Sequence, residues 1–112
     1  MTDTGESATY VTGMIGLLEP FDNRPHAQKV LKTDSAHVVV FAFAAGQQLR
    51  EHASAHPVVI STIAGHTRFT YPGGTVDLRP GDLIHLPAMM RHSVEAIEDS
   101  ALTVTMLLPR QS

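Results

Sequence analysis

Cysteine and tryptophan are both missing from the 112 residues, and aromatic side chains make up only 5% of them. Without cysteine there is no disulfide framework, no thiolate zinc site, no iron–sulfur cluster and no thiol nucleophile, so any metal must be held by imidazole or carboxylate. Long hydrophobic runs are missing too. The longest stretch free of polar side chains, Val38 to Gly46, is about half of what a bilayer crossing needs. The opening residues, Met1 to Glu6, have neither a basic start nor an apolar signal core, and the expectation is a soluble cytoplasmic protein with no membrane partner. Positive charge is scarce: eight basic residues, scattered singly, are outnumbered by eleven acidic ones for a net charge of −3. That balance, with no tryptophan to stack on bases, argues against a nucleic-acid partner. What is present is 43% hydrophobic residues, enough for one core that removes roughly two thirds of the unfolded chain's surface from water. Seven histidines complete the inventory.

Turn residues punctuate the chain at short intervals. Between them lie stretches rich in Val, Ile, Thr and Phe: Tyr10–Leu18, Ala27–Leu31, His37–Phe43, Val58–Ala64, His66–Tyr71, Val76–Leu78, Leu83–Leu86, Ser93–Ile97 and Ala101–Leu108. No window sustains a helical period. Short strands at this spacing predict an all-β antiparallel sandwich or barrel. Residues 1–9 read as a flexible tail and 10–112 as a single barrel domain, with no repeat or linker to mark a second one. In Ala101–Leu108 both faces are uncharged, which predicts cover on both sides, by the core on one and by a second sheet or partner subunit on the other.

The histidines gain meaning from their spacing. Gly46 is followed after five residues by His52, and Gly65 lies thirteen beyond that histidine. Gly81 is followed after five residues by Pro87, with His92 five beyond the proline. These segments resemble the paired motifs of the cupin superfamily, whose members are double-stranded β-helix (jelly-roll) barrels. The first motif there reads glycine, five residues, histidine, one residue, histidine, three or four residues, glutamate, six residues, glycine. The second reads glycine, five residues, proline, one residue, glycine, two residues, histidine, three residues, asparagine. The resemblance covers Gly46 to Ala96, and it implies a small single-domain barrel of the cupin 2 type that forms homodimers, with Tyr10–Leu18 as the strand to be exchanged.

The departures from the pattern bear on function. Ser54 stands where the family has its second histidine, Val58 where it has glutamate, Met89 where it has the second-motif glycine and Ala96 where it has asparagine. Of the four usual ligands, only His52 and His92 are in register, and two imidazoles rarely hold a first-row divalent ion tightly. His56 is the candidate third ligand. On a continuous strand it would lie about 13 Å from His52 at roughly 3.3 Å per residue, so Ala53-Ser54-Ala55 must bend for a His52/His56/His92 triad to form. The alternative is a partly exposed His56 beside a metal-free pocket. If His92 faces inward, strand parity sends Val94 inward and makes Ile60, Phe69, Val104 and Met106 pocket walls, beside Ser54 and Val58. Ile84 and Leu86 pointing inward would turn His85 outward, and His26, His37 and His66 read as solvated.

Two functions remain open from the sequence. As an enzyme, the barrel would hold Fe, Mn, Ni or Zn through its histidines and act as an oxygenase or isomerase on a small organic substrate, although no catalytic residue beyond the metal ligands is legible. As a binding module, it would hold a small-molecule ligand around a degenerate metal site.

Overall fold

Three residues of one strand show how the interior is laid out. His92, Val94 and Ala96 are buried while Ser93 and Glu95 between them are not, the two-residue alternation of a strand with one face on a core. The same pattern buries Val58, Ile60 and Thr62 in one strand and Thr67 and Phe69 in the next. The computed structural model describes residues 7–109; the first six residues of the expected tail lie outside them. Nine strands and no helix occur among the described residues, in the order β1 (His26–Lys32), β2 (Ala36–Phe43), β3 (Gln48–His52), β4 (Val58–Ala64), β5 (Thr67–Tyr71), β6 (Gly74–Leu78), β7 (Leu83–Leu86), β8 (His92–Ala96) and β9 (Ser100–Leu107). No helix there is long and apolar enough to cross a membrane.

The strands form two sheets, one ordered β1-β2-β9-β4-β7 and the other β3-β8-β5-β6. Every pairing is antiparallel. The fold is therefore all-β, a jelly-roll sandwich with its core between the sheets. Phe43, Phe69 and Leu102 are almost wholly buried there, each worth about 1.5–3 kcal/mol in burial. Where β4 turns into β5 the two sheets are locked together. The hydroxyls of Thr62 and Thr67 bond at 2.8 Å inside the core. Gly65, at φ +80°, passes so close to the next loop that a Cβ would overlap the Asp99 carbonyl oxygen and Ser100 Oγ, and would lie 2.8 Å from Ser100 Cα.

Two expectations change. Tyr10–Leu18 is not a strand: Gly13 and Gly16 take left-handed φ values of +73° and +78°, which interrupt the extended run. Regular structure begins instead at His26. The segment runs along the outer face of the first sheet, where Thr9, Val11 and Met14 share a shallow cleft with Val38, Thr103 and Thr105. Among the described residues, the outer side of β9 thus meets the chain's own N-terminal segment, where a second sheet or partner subunit was expected. Conversely, Gln48–His52 pairs with β8 as an edge strand, although nearly all of its residues are exposed and polar.

Candidate functional site

A single surplus residue positions the first histidine. In the β3–β8 ladder Leu49 pairs with Val94, and regular pairing would then place Glu51 opposite His92. His52 takes that place instead, after a register shift. A bulge of one residue is the consequence. In a regular strand Leu49 and His52, three positions apart, would face opposite sides; with the bulge, both line the same cavity.

The two imidazoles meet there. Their ring centroids are 4.4 Å apart with the planes tilted by 55°. Nδ1 of His52 lies 3.3 Å from the Arg50 carbonyl oxygen, and Nδ1 of His92 lies 3.2 Å from that of Met90. A carbonyl only accepts, so in the neutral form of each ring Nδ1 carries the proton and Nε2 keeps its lone pair. Among the described residues no protein group bonds to either Nε2. His92 is only 4% exposed. Burial holds its pKa below the ordinary 6.5, the nearby His52 adds to the depression, and the Met90 carbonyl opposes it. The ring is therefore neutral at neutral pH.

The cavity occupies about 230 Å³. Ser54, Val58, Ile60, Phe69, Val94 and Met106 all line it, together with Val104 and the two histidines. Four further walls, Val39, Phe41, Leu49 and Leu102, were not singled out from sequence. Val39 and Phe41 pair with Val104 and Leu102 across β2 and β9, and the unbroken apolar run of β2 conceals which of its faces points inward. Ser54, His52 and His92 supply the polar side chains of the lining.

Two loops close this end of the sandwich. The Met89 amide donates to the Ser54 carbonyl oxygen at 2.7 Å, and the His56 amide donates to Ser54 Oγ at 3.3 Å. Met89 holds a left-handed φ of +67°, a conformation that favours glycine. Its side chain is exposed, while Met90 packs half-buried against the core. His56 lies near His37, whose pKa is lowered by lost hydration and then by Lys29, Lys32 and His56.

Residues 36–112 match the family described as the AraC-like ligand binding domain. The chain belongs to that family. Its fold agrees: an RmlC-like cupin protein from Desulfovibrio desulfuricans superposes with a TM-score of 0.81 at 22% identity, over 89% of this chain and 97% of that one. A cupin superfamily protein from Desulfitobacterium hafniense gives 0.76 at 20% identity over 84% and 86% of the two chains. An uncharacterised double-stranded β-helix protein from Klebsiella pneumoniae gives 0.77 at 19% over 89% and 90%. No curated protein matches the chain. This AraC-like ligand binding domain thus has the fold of the small cupin barrels on which it superposes.

The donors in this cupin do not fit a tightly held divalent ion. Among the described residues no group of three His, Asp or Glu side chains is placed to hold a metal, so His56 does not join His52 and His92. Where the superfamily motif has glutamate, Val58 is an apolar wall, and Ser54 is a poor neutral ligand for such an ion. The remaining histidines are engaged elsewhere. His66 Nε2 lies 3.1 Å from Asp77 Oδ2, an ion-pair contact without good hydrogen-bond alignment. His26 packs against Phe21 and its Nδ1 lies 2.9 Å from the Glu19 carbonyl oxygen. His85 is exposed beside the buried Leu86.

Proposed function

We propose that the protein binds one small, largely apolar molecule in its barrel without a metal, in preference to acting as a metal-dependent oxygenase or isomerase. The observation that carries this reading is a cavity of about 230 Å³ whose walls are aliphatic and aromatic, with an imidazole pair as its chief polar feature and, among the described residues, no carboxylate, lysine or arginine in the lining. An apolar cavity of about 150 Å³ in another protein accommodates benzene, so a single substituted ring suits this one. Pockets of this kind bind through apolar contact and use a few polar groups for orientation.

The test is ligand-dependent thermal stabilisation of untagged protein in chelator-treated buffer. A ring compound at a hundred times its Kd adds about 2.7 kcal/mol to stability. The contrary result is stoichiometric Fe, Mn, Ni or Zn by elemental analysis, with a Tm that rises on adding metal and with no ring compound. The same reading treats the protein as a homodimer, because Tyr10, Ile15, Leu17 and Phe21 leave large apolar groups exposed along the N-terminal segment. Light scattering checks this, and a monomer mass is the contrary result.

A further inference from the structure

The chemistry of the pocket's polar end is narrower than its apolar walls suggest. Each histidine has its Nδ1–H committed to a backbone carbonyl two residues earlier, Arg50 for His52 and Met90 for His92. The proton cannot then also sit on Nε2 in the neutral ring, so each Nε2 presents a lone pair and no donor. Two such acceptors stand side by side, with ring centroids 4.4 Å apart. The third polar side chain is Ser54, whose Oγ accepts from the His56 amide and whose O–H remains available to donate.

We infer that the site selects a hydroxyl-bearing ring, a phenol or a compact alicyclic alcohol, and discriminates against the carboxylate of the same size. The inference rests on the binding function proposed above and specifies its ligand. A hydroxyl donates to one imidazole Nε2 and accepts from Ser54. A hydrocarbon ring of the same size fills the walls but leaves the acceptors without a partner. A carboxylate is acceptor-only when ionised, so it sets its oxygens against two lone pairs and gives up its hydration in an apolar cavity. Discrimination of this kind falls chiefly on His92, the buried member of the pair, because a buried polar group left unpaired costs more than a made bond gains.

The experiment uses the full chain, three probes built on toluene and one variant. Titrations of p-cresol, toluene and 4-methylbenzoate, followed by calorimetry at neutral pH in chelator, are expected to give at least tenfold tighter binding for p-cresol than for toluene. The carboxylate should bind more weakly than toluene. In His92→Leu the preference for p-cresol over toluene should shrink to about twofold. Long-range proton–nitrogen NMR of the imidazoles provides a readout independent of any ligand, with the Nδ1–H tautomer expected for His52 and His92. Equal binding of toluene and p-cresol, or tightest binding of 4-methylbenzoate, overturns the selectivity while leaving the binding function intact. An Nε2–H tautomer at both histidines overturns it as well. If the tautomers are as stated but none of the three probes binds, the binding function itself fails, and the selectivity falls with it.

Discussion

The two ends of the sandwich are built from the same strands and serve opposite purposes. At the end where β4 turns into β5, the space between the sheets is filled: Phe43 is almost wholly buried, Thr62 bonds to Thr67, and Gly65 is pressed against the loop before β9. Two further bonds brace this end, from the Ala45 amide to Asp99 Oδ1 and from the His66 amide to Ser100 Oγ, each 2.9 Å. At the end carrying His52 and His92, the same β4, β8 and β9 enclose a cavity lined by Val58, Val94 and Met106. Stability and binding are thus separated along the strand axis, so substitutions at the two ends should differ in kind.

The largest effect is expected at Gly65. Replacing it with alanine drives a methyl group into Asp99 and Ser100 at a φ that disfavours any side chain. The expected loss is about 4 kcal/mol or more, beyond the usual range of single substitutions, measured by urea unfolding. A milder loss, below about 1 kcal/mol, would show that the filled end can relax and would weaken the contrast. Next comes a matched pair of truncations. Phe43→Ala at the filled end should cost about 3–5 kcal/mol. Val104→Ala in the cavity wall removes two methyl groups beside space that is already empty, and should cost about 1–2 kcal/mol. Similar values for the two would break the comparison. Smaller still, and opposite in sign, is Met89→Gly. The left-handed φ of Met89 carries a penalty of about 1–2 kcal/mol for a residue with a side chain, partly offset by glycine's greater freedom when unfolded. The net expectation is a gain of about 0.5 kcal/mol, read as a rise in Tm.

Acid should act on the two ends in different pH ranges. On the outside of the filled end, the Arg68 guanidinium and then His66 hold the Asp77 carboxyl down to about 2. The unfolded chain binds that proton more readily, so the contribution of Asp77 is complete above about 4 and is lost as pH falls through about 2. His92 is lowered from 6.5. Its neutral form is favoured by folding, so stability is full above 6.5 and declines as pH falls from there toward the lowered value. Unfolding curves taken every half unit of pH should show Asp77→Asn flattening the pH dependence in the more acidic range while lowering stability above it, and His92→Leu flattening the pH dependence only in the milder range.

Most of the strand pattern was legible because Val, Ile and Thr stretches alternate with turn residues, and because parity along Val58–Ala64 and Ser93–Ile97 is clean. The cupin resemblance likewise followed from Gly46, His52, Gly65, Gly81, Pro87 and His92. Two segments misled for physical reasons. Tyr10–Leu18 is apolar enough to read as a strand, yet Gly13 and Gly16 at positive φ turn it away from any ladder. Gln48–His52 is polar enough to read as loop, yet an edge strand needs only one inward face, and Leu49 supplies it. The cavity walls from β4, β5 and β8 follow from parity. The orientation of His52 does not, because a bulge leaves no mark in residue type.

That bulge means that the length of β3, as much as its composition, governs what faces His92. A strand is read in twos, and one surplus residue shifts its phase. Inserting a single residue between Leu49 and Glu51, with the bulge kept, would bring Glu51 opposite His92 and leave His52 outside. An imidazole pair would become a carboxylate–imidazole pair with every existing side chain unchanged. The chemistry of this pocket is therefore open to change by an insertion that no substitution scan would sample.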